Sequence, residues 1–298
     1  MLVIFSVLFL ACSLFVENFF SLINMKGLAL AVSMSGMVAC TMLFCLASGD
    51  FDLSIGSIIA CAGVVAAVVS NATASVGLGV LAGVLFGAIV GALNGVVIAK
   101  FKINALITTL AAMQIVRGLG YIISNGNAVG IQAESFFKLG NAALLGIPLP
   151  IVMTFVCFLV FGFMLNHTRY GRYTLAIGGN AEAARLSGVP VERVKIIIFM
   201  LQGFVTGFAG VVLAARMTSG QPMTAMGFEL EVISACVLGG VSLAGGVGAM
   251  RHVIAGVLLL GTVQNAMNLL NVAPFYQYLA RGMILLVAVF LDRYKQAR

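Results

Sequence analysis

One polar stretch decides the fold: residues 167–195 read HTRYGRYTLAIGGNAEAARLSGVPVERVK in a chain that is otherwise strongly apolar. Asn180 can cap a short helix with its side-chain oxygen, Glu182 then places a negative charge in the first turn, and Arg185 lies near the last turn. Gly188 can adopt the left-handed conformation that commonly ends a helix. The stretch therefore predicts a two-turn helix between Asn180 and Gly188, held outside the bilayer and suited to dock in a groove of another protein.

The composition around this stretch is that of a membrane protein. Hydrophobic residues make up 62% of the 298 residues and charged residues only 8%, whereas about a quarter of a soluble domain is charged. The apolar runs predict an all-α bundle of 8 to 10 transmembrane spans, with both termini in the cytoplasm and one domain over residues 1–298. The runs fall near residues 2–16, 27–48, 53–70, 76–99, 103–123, 149–166, 195–215, 230–243, 252–271 and 276–291.

Two of these runs, the first and the eighth, are short for a helix that crosses hydrocarbon. We therefore expect them to be tilted, interfacial or broken. No Lys or Arg precedes the first run and no small-residue cleavage site follows it, so it is expected to be an uncleaved span. The glycine-rich residues 239–246, at the end of the eighth run, are expected to break the helix near the cytoplasm and to form a flexible gate.

The basic residues predict the orientation. With both ends inside, the cytoplasmic basic residues are Lys100, Lys102, Arg169, Arg172, Arg185, Arg193, Lys195, Arg251, Arg293, Lys295 and Arg298. The others fall outside or within the ends of spans, and they are Lys26, Arg117, Lys138, Arg216 and Arg281. This asymmetry follows the positive-inside rule, so the net charge of +7 requires no nucleic-acid partner.

Motifs for catalysis on this chain are missing from the sequence. It has no Gly-Lys dipeptide and hence no phosphate-binding loop of the Walker type, and it has neither Gly-x-Ser-x-Gly nor His-Glu-x-x-His. The six cysteines lie in or beside apolar runs without metal-site spacing, so we expect free thiols and no metal. The chain is not expected to be an enzyme, and any ATP that drives it must bind another chain.

Several motifs resemble one family. Glu182-Ala183-Ala184 followed by Gly188 resembles the Glu-Ala-Ala…Gly loop of bacterial ABC importer permeases. Over its whole length the chain resembles the ribose-type sugar permeases, through SGDFDLSIGS (48–57), NG (94–95), RG (117–118) and LGGVSLAGGVG (238–248). Within that family it resembles the L-arabinose members, through CLASGD (45–50), KINALITTL (102–110), RMTSGQPM (216–223) and NAMNLLN (265–271).

The resemblance implies the permease subunit of an ATP-driven monosaccharide importer in the inner membrane. It implies a homodimer, an ABC ATPase subunit that binds ATP and Mg²⁺ on the cytoplasmic side, a periplasmic sugar-binding protein, and a sugar path between two permease copies. The residues that it implies for ATPase coupling are Asn180, Glu182, Ala183, Ala184, Arg185 and Gly188.

A pentose is neutral and rich in hydroxyl groups, so its path needs amides and hydroxyls that replace water's hydrogen bonds. Each such side chain could equally hydrogen-bond a neighbouring helix. The candidates for the path are Asn94, Asn104, Thr108, Thr109, Gln114, Gln264, Asn265 and Asn268. Arg117 and Arg281 are placed near the outer ends of spans, where they would either snorkel or contact the binding protein.

Two other functions stay open at this point. A secondary sugar transporter or channel would work alone and would use Asp50 and Asp52 as ion-handling carboxylates. Against it, Asp52 can accept backbone N–H bonds at the start of the third span, which would hold it ionised. An intramembrane enzyme is disfavoured because no nucleophile and base occur at a plausible spacing.

Overall fold

In the computed structural model, which describes residues 2–296 but not the side chains of residues 288 and 291–296, the chain is a helical bundle. Its helices are α1 (Leu2–Phe15), α2 (Leu22–Ala47), α3 (Ile55–Thr73), α4 (Val76–Ala99), α5 (Ala105–Ser124), α6 (Glu134–Asn141), α7 (Leu149–His167), α8 (Arg169–Gly179), α9 (Ala181–Leu186), α10 (Val191–Met217), α11 (Phe228–Gly239), α12 (Met250–Leu269) and α13 (Pro274–Gln296). Arg298 lies outside the described residues, as do the side chains of Arg293 and Lys295.

Four two-residue strands form two antiparallel pairs at loops. Strand β1 (Val129–Gly130) pairs with β4 (Ser219–Gly220), with Val129 opposite Gly220. Strand β2 (Ala143–Leu144) pairs with β3 (Ile147–Pro148). These pairs are too short to form a sheet layer, so the prediction of an all-α bundle is confirmed.

Each of the ten predicted spans overlaps a helix. In the described part of the chain, seven helices are long and apolar enough to cross a membrane, namely α2, α3, α4, α5, α7, α10 and α12. The first and eighth runs correspond to α1, with 14 residues, and α11, with 12. A 12-residue helix rises only about 18 Å, against about 30 Å of hydrocarbon. Both helices are thus too short to cross the hydrocarbon upright, and whether they are tilted, interfacial or broken stays a prediction.

Glycines hold α4 close to α10. Gly87 and Gly91 lie one turn apart on α4, and a Cβ added at either would overlap a backbone carbonyl of α10, that of Gly203 or of Phe199. Small residues on such a face let two helices approach closely in a membrane, where packing drives association. The glycines therefore give α4 a close-packing face toward α10.

Residues 218–227 turn back into the bundle after α10. The carbonyl oxygen of Gly63, in the middle of α3, lies 2.5 Å from the place a Cβ of Gly220 would occupy. Five residues later the carbonyl oxygen of Ala225 lies 2.5 Å from the Cβ position of Gly56, at the start of α3. Non-helical backbone at membrane depth is tolerated where protein surrounds it. We call residues 218–227 the re-entrant segment.

Arg117 holds this segment in place. Its Nη1 donates hydrogen bonds to the carbonyl oxygens of Pro222, at 2.7 Å, and Thr224, at 2.8 Å. Snorkelling is therefore wrong for Arg117, because its guanidinium satisfies carbonyls of the re-entrant segment, while a contact with a binding protein stays a prediction. Arg281 also points inward, with Nη1 3.7 Å from Oε2 of Glu231.

The glycine-rich residues lie at the end of the bundle that carries α9, which we call the α9 end. Helix α11 stops at Gly239, and Gly240, Gly245 and Gly246 all have positive φ. The amide of Gly246 donates to the carbonyl of Ala47 at 2.9 Å. The predicted break in the helix is confirmed. The gating role remains a prediction.

Candidate functional site

Helix α9 is built as its sequence predicts. The Asn180 side-chain oxygen accepts hydrogen bonds from the amides of Glu182, at 3.1 Å, and Ala183, at 3.0 Å. The helix ends at Leu186, and Gly188 adopts φ +83°. Caps at both ends fix six residues that would not form a stable helix by themselves.

The exposed face of α9 differs in part from the predicted one. The side chain of Ala184 is only 6% exposed and packs into the core of its own chain, so it cannot offer a side-chain contact to a partner. Leu186, which the sequence analysis missed, is 81% exposed. Glu182 and Arg185 are exposed and lie 3.4 Å apart, a pair that adds little stability. A large apolar side chain at the tip of a polar helix is the signal that pattern reading could have used.

Asp50 and Lys195 connect this region to the transmembrane helices. Lys195, in the second turn of α10, places Nζ 2.7 Å from Oδ2 of Asp50, which follows α2. Asp50 is thus held as a structural ion-pair partner. This arrangement gives no support to an ion-handling role for it.

Asp52 lies in the extended connection between α2 and α3 and is fully buried. Its Oδ1 accepts from the amide of Ser54 at 2.9 Å and from its hydroxyl at 2.5 Å, but Oδ2 has no hydrogen-bond partner among the described residues. Burial raises the pKa of Asp52 to about 6, although the bonds from Ser54 act in the opposite direction. The bonds from Ser54 favour the ionised form, as expected, but desolvation is the larger effect and the pKa is raised.

A cavity of about 290 Å³ lies between α2, α3, α10, α11 and α12. It is in the half of the bundle away from α9, because Arg216 is one residue from the end of α10 and Asn268 is one residue from the end of α12. The polar groups in its wall are Arg216, Thr224, Glu231, Gln264, Asn265 and Asn268. The re-entrant segment closes one side of it with Thr224 and Ala225.

The three amides from α12 have different partners. Asn265 exchanges hydrogen bonds of 2.9 Å with Asn24, and Asn268 accepts one of 2.9 Å from Gln277. Gln264 makes no hydrogen bond to any residue that the structure describes, and it is half-buried. Its amide is therefore free to donate to and accept from a ligand in the cavity.

The other predicted path residues lie elsewhere. Asn94 is buried and donates to the Ser54 hydroxyl at 3.1 Å, while Asn104 caps α5 by accepting from the amide of Leu106. The Thr108 and Thr109 hydroxyls donate to carbonyls of their own turn, and Gln114 is exposed on α5. The eight residues thus do not form one surface, because only the three on α12 reach the cavity.

Two charged residues of the cavity were not among the predicted path residues. Arg216 contributes to the wall, and Glu231 lies beside Arg281. An ionisable residue inside an apolar run is itself a signal of function. Glu231 falls within the predicted run 230–243, so that signal was present.

Within residues 2–296, no three His, Cys, Asp or Glu side chains come together as metal ligands, and the six cysteines are free thiols. The polar groups in the wall of the cavity can form hydrogen bonds to a neutral polar molecule.

The sequence matches known proteins over most of its length. Residues 24–289 match the family described as branched-chain amino acid transport system / permease component. The chain is 69% identical to the L-arabinose transport system permease protein of Escherichia coli strain K12, over 99% of this chain and 90% of that protein.

Two further relatives agree. The L-arabinose ABC transporter permease protein of Azospirillum brasilense is 55% identical over 98% of this chain and 86% of its own, and the ribose import permease protein of Bacillus subtilis strain 168 is 40% identical over 98% and 91%. No solved structure matches the chain. With these matches, the chain belongs to the family of transport-system permease components and is a multi-pass protein of the inner membrane.

Proposed function

We propose that this chain is the membrane-spanning permease subunit of an ATP-driven importer of L-arabinose. The observation that carries the proposal is the amide-lined cavity in the half of the bundle away from α9. Its size is near the lower end of small-ligand sites, about 300 Å³. Amide, hydroxyl and charged groups in its wall can replace the water bound to a small polyhydroxylated sugar.

The two ends of the bundle take different partners. The α9 end faces the cytoplasm and meets a separate ABC ATPase, which binds ATP and Mg²⁺ because this chain carries no nucleotide-binding motif. A periplasmic sugar-binding protein delivers L-arabinose at the opposite end, where the cavity lies. Family membership supports an ATPase and a binding protein as partners in general.

A second copy of the permease completes the transporter. One chain provides one α9, whereas an ATP-driven motor closes two nucleotide sites. Gln114 lies on the exposed face of α5, where lipid would leave its amide without hydrogen bonds. We place the second copy against this face of α5. The mass of the complex with its ATPase should show two permease copies, and a single copy with no other permease would contradict the proposal.

Uptake of labelled L-arabinose tests the sugar path in cells that lack their own permease and carry the full set of subunits. Replacing Gln264 by Leu removes the free amide from the cavity. The maximal rate of uptake should fall about two- to tenfold, the worth of one neutral hydrogen bond, whereas the sugar concentration for half-maximal uptake is set by the binding protein. Gln132→Leu, at an exposed position outside the cavity, is the matched control. Equal uptake curves for Gln264→Leu and the wild type would contradict the assignment of the cavity.

A secondary transporter is the second candidate, and one observation favours it. Asp52 is buried, its Oδ2 has no partner among the described residues, and its pKa near 6 suits a carrier of protons. ATP depletion should stop uptake if the importer proposal is right, and collapse of the proton gradient at constant ATP should leave it intact. The opposite pair of results, with loss of uptake in Asp52→Asn, would establish the secondary transporter.

A further inference from the structure

A groove runs between α7 and α12 on the outside of the bundle. One hollow of about 350 Å³ is lined by Phe155, Phe158, Leu159 and Ile254, among others. A second, of about 700 Å³, continues from it toward the α9 end. The two hollows share Phe158, Leu159 and Ile254, so they form one continuous surface. We call it the α7–α12 groove.

The groove is apolar along its length and polar only at one end. Phe155 is 61% exposed, Leu159 58% and Phe163 63%. At the α9 end the wall changes to Asn166 and His167 on α7 and Arg251 on α12. The polar groups are therefore confined to the level at which α7 ends and α12 begins.

The polar end carries a positive charge, that of Arg251. Arg251 is exposed and forms no ion pair or hydrogen bond with any residue that the structure describes. Among the side chains that the structure describes, no Asp or Glu lines either hollow. The ring of His167 stacks on that of Phe163, with centroids 5.1 Å apart, which leaves its polar edge beside the groove. An unpaired cation above a long apolar trough is complementary to an anionic head on an apolar tail.

We propose that the α7–α12 groove binds an anionic phospholipid of the cytoplasmic leaflet, with its phosphate at Arg251 and an acyl chain along Phe163, Leu159 and Phe155. The dimensions fit. The second hollow, toward the α9 end, spans residues 158–167 of α7, a rise of about 14 Å. This is close to the half-thickness of about 15 Å that one leaflet contributes.

The side of the membrane on which Arg251 lies also agrees with an anionic lipid in the groove. With α9 in the cytoplasm, Arg251 lies at the cytoplasmic surface, where the leaflet is rich in anionic lipid and basic sites between helices bind its headgroups. An extended peptide would need partners for its backbone N–H and C=O groups, and the apolar part of the groove offers only the hydroxyls of Ser33 and Thr154, which already donate to backbone carbonyls. The proposal rests on the orientation given above and not on the identity of the sugar.

Because the chain contains no tryptophan, a single introduced tryptophan can serve as a fluorescent probe without background from other positions. A Leu159→Trp variant of the full chain, reconstituted in nanodiscs, reports contact with brominated acyl chains by quenching. Brominated phosphatidylglycerol at a low fraction in unbrominated phosphatidylcholine should quench this tryptophan at least twofold more than brominated phosphatidylcholine at the same fraction. Leu93→Trp, on the exposed face of α4, is the control and should show no preference.

The charge is tested by adding Arg251→Gln to Leu159→Trp, which should abolish the preference. Arg193→Gln removes the same charge from another exposed position on the cytoplasmic side and should preserve it. Equal quenching by the two lipids in Leu159→Trp would overturn the proposal, because the groove would then hold bulk lipid only. Absence of quenching by either lipid would also overturn it, since another protein surface would then cover the groove.

Native mass spectrometry of the complete transporter gives a second readout, in which Arg251→Gln should lose a bound phosphatidylglycerol that Arg193→Gln retains.

Discussion

Lys195 Nζ lies 2.7 Å from Asp50 Oδ2, and the two side chains are only 18% and 10% exposed. The pair joins the first turns of α10, just after α9, to the end of α2 and the extended connection that leads into α3. The pair is thus a short, largely buried connection between the segment after α9 and helices that line the cavity.

The first prediction concerns this pair. Lys195→Met leaves the Asp50 carboxylate mostly buried without its cation, so the free energy of unfolding should fall by about 3 to 5 kcal/mol. Thermal unfolding of the purified chain in detergent measures the loss. Combining Lys195→Met with Asp50→Asn should recover much of it, because no uncompensated charge is then left. Arg185→Met, which breaks the exposed pair with Glu182, should cost less than about 1 kcal/mol. Equal losses in Lys195→Met and Arg185→Met would refute this account.

The second prediction concerns the tip of α9. Leu186 is 81% exposed and makes the largest apolar projection on this helix, so Leu186→Ser should weaken co-purification of the ATPase and leave the melting temperature of the permease unchanged. Ala181→Ser should be mild in both measurements. Undiminished recovery of the ATPase with Leu186→Ser would show that α9 docks through another residue.

Gly188→Val extends the second prediction to the end of the same helix. Gly188 has φ +83° with open space around its Cβ position, so valine is penalised by the backbone conformation alone and not by a clash. We expect weaker ATPase binding and lower uptake. Binding equal to wild type would mean that the left-handed turn is not needed for docking.

The sequence predicted the helices well because their signals are local. Long apolar runs, the capping Asn180 and the glycine-rich residues 239–246 each act on their own stretch of chain. The re-entrant segment gave no such signal, because its position depends on hydrogen bonds from Arg117, which is over a hundred residues away in the sequence. For the same reason the sequence did not reveal that the Arg117 side chain binds this segment.

The candidate site was predicted only in part. Chemistry alone selected eight polar residues, and three of them reach the cavity, because residue type does not reveal which face of a helix is turned inward. Asp52 shows the same limit in its electrostatics. Its cap-like hydrogen bonds follow from local sequence, but its burial depends on packing of distant helices, and burial determines its pKa.

The third prediction concerns the contact between α4 and α10. A Cβ at Gly91 would overlap the carbonyl of Phe199, so Gly91→Ala must separate the two helices. We expect a loss of about 1 to 3 kcal/mol or failure to accumulate in the membrane. Gly27→Ala, in α2, is the matched control because no atom lies within 4 Å of its Cβ position. Normal stability of Gly91→Ala would mean that the helices are not as close as described.

The fourth prediction concerns Asp52 and pH. Burial raises its pKa from 3.8 to about 6, so the folded chain holds this proton more tightly than the unfolded chain does. The stabilisation that this gives is complete below pH 3.8 and is lost as pH rises through 6. Above pH 6 the ionised carboxylate therefore costs on the order of 3 kcal/mol relative to a neutral group.

The variant Asp52→Asn tests this cost, because it keeps an oxygen that can accept from the Ser54 amide and carries no charge. Its melting temperature should exceed that of the wild type at pH 7 to 8, and the difference should shrink steadily toward pH 4.5. Asp52→Leu removes the acceptor as well as the charge, so part of its effect should be a loss that does not change with pH. A difference between Asp52→Asn and the wild type that stays constant from pH 4.5 to 8 would show that Asp52 does not titrate in this range, and it would remove the observation that favours a proton-coupled transporter.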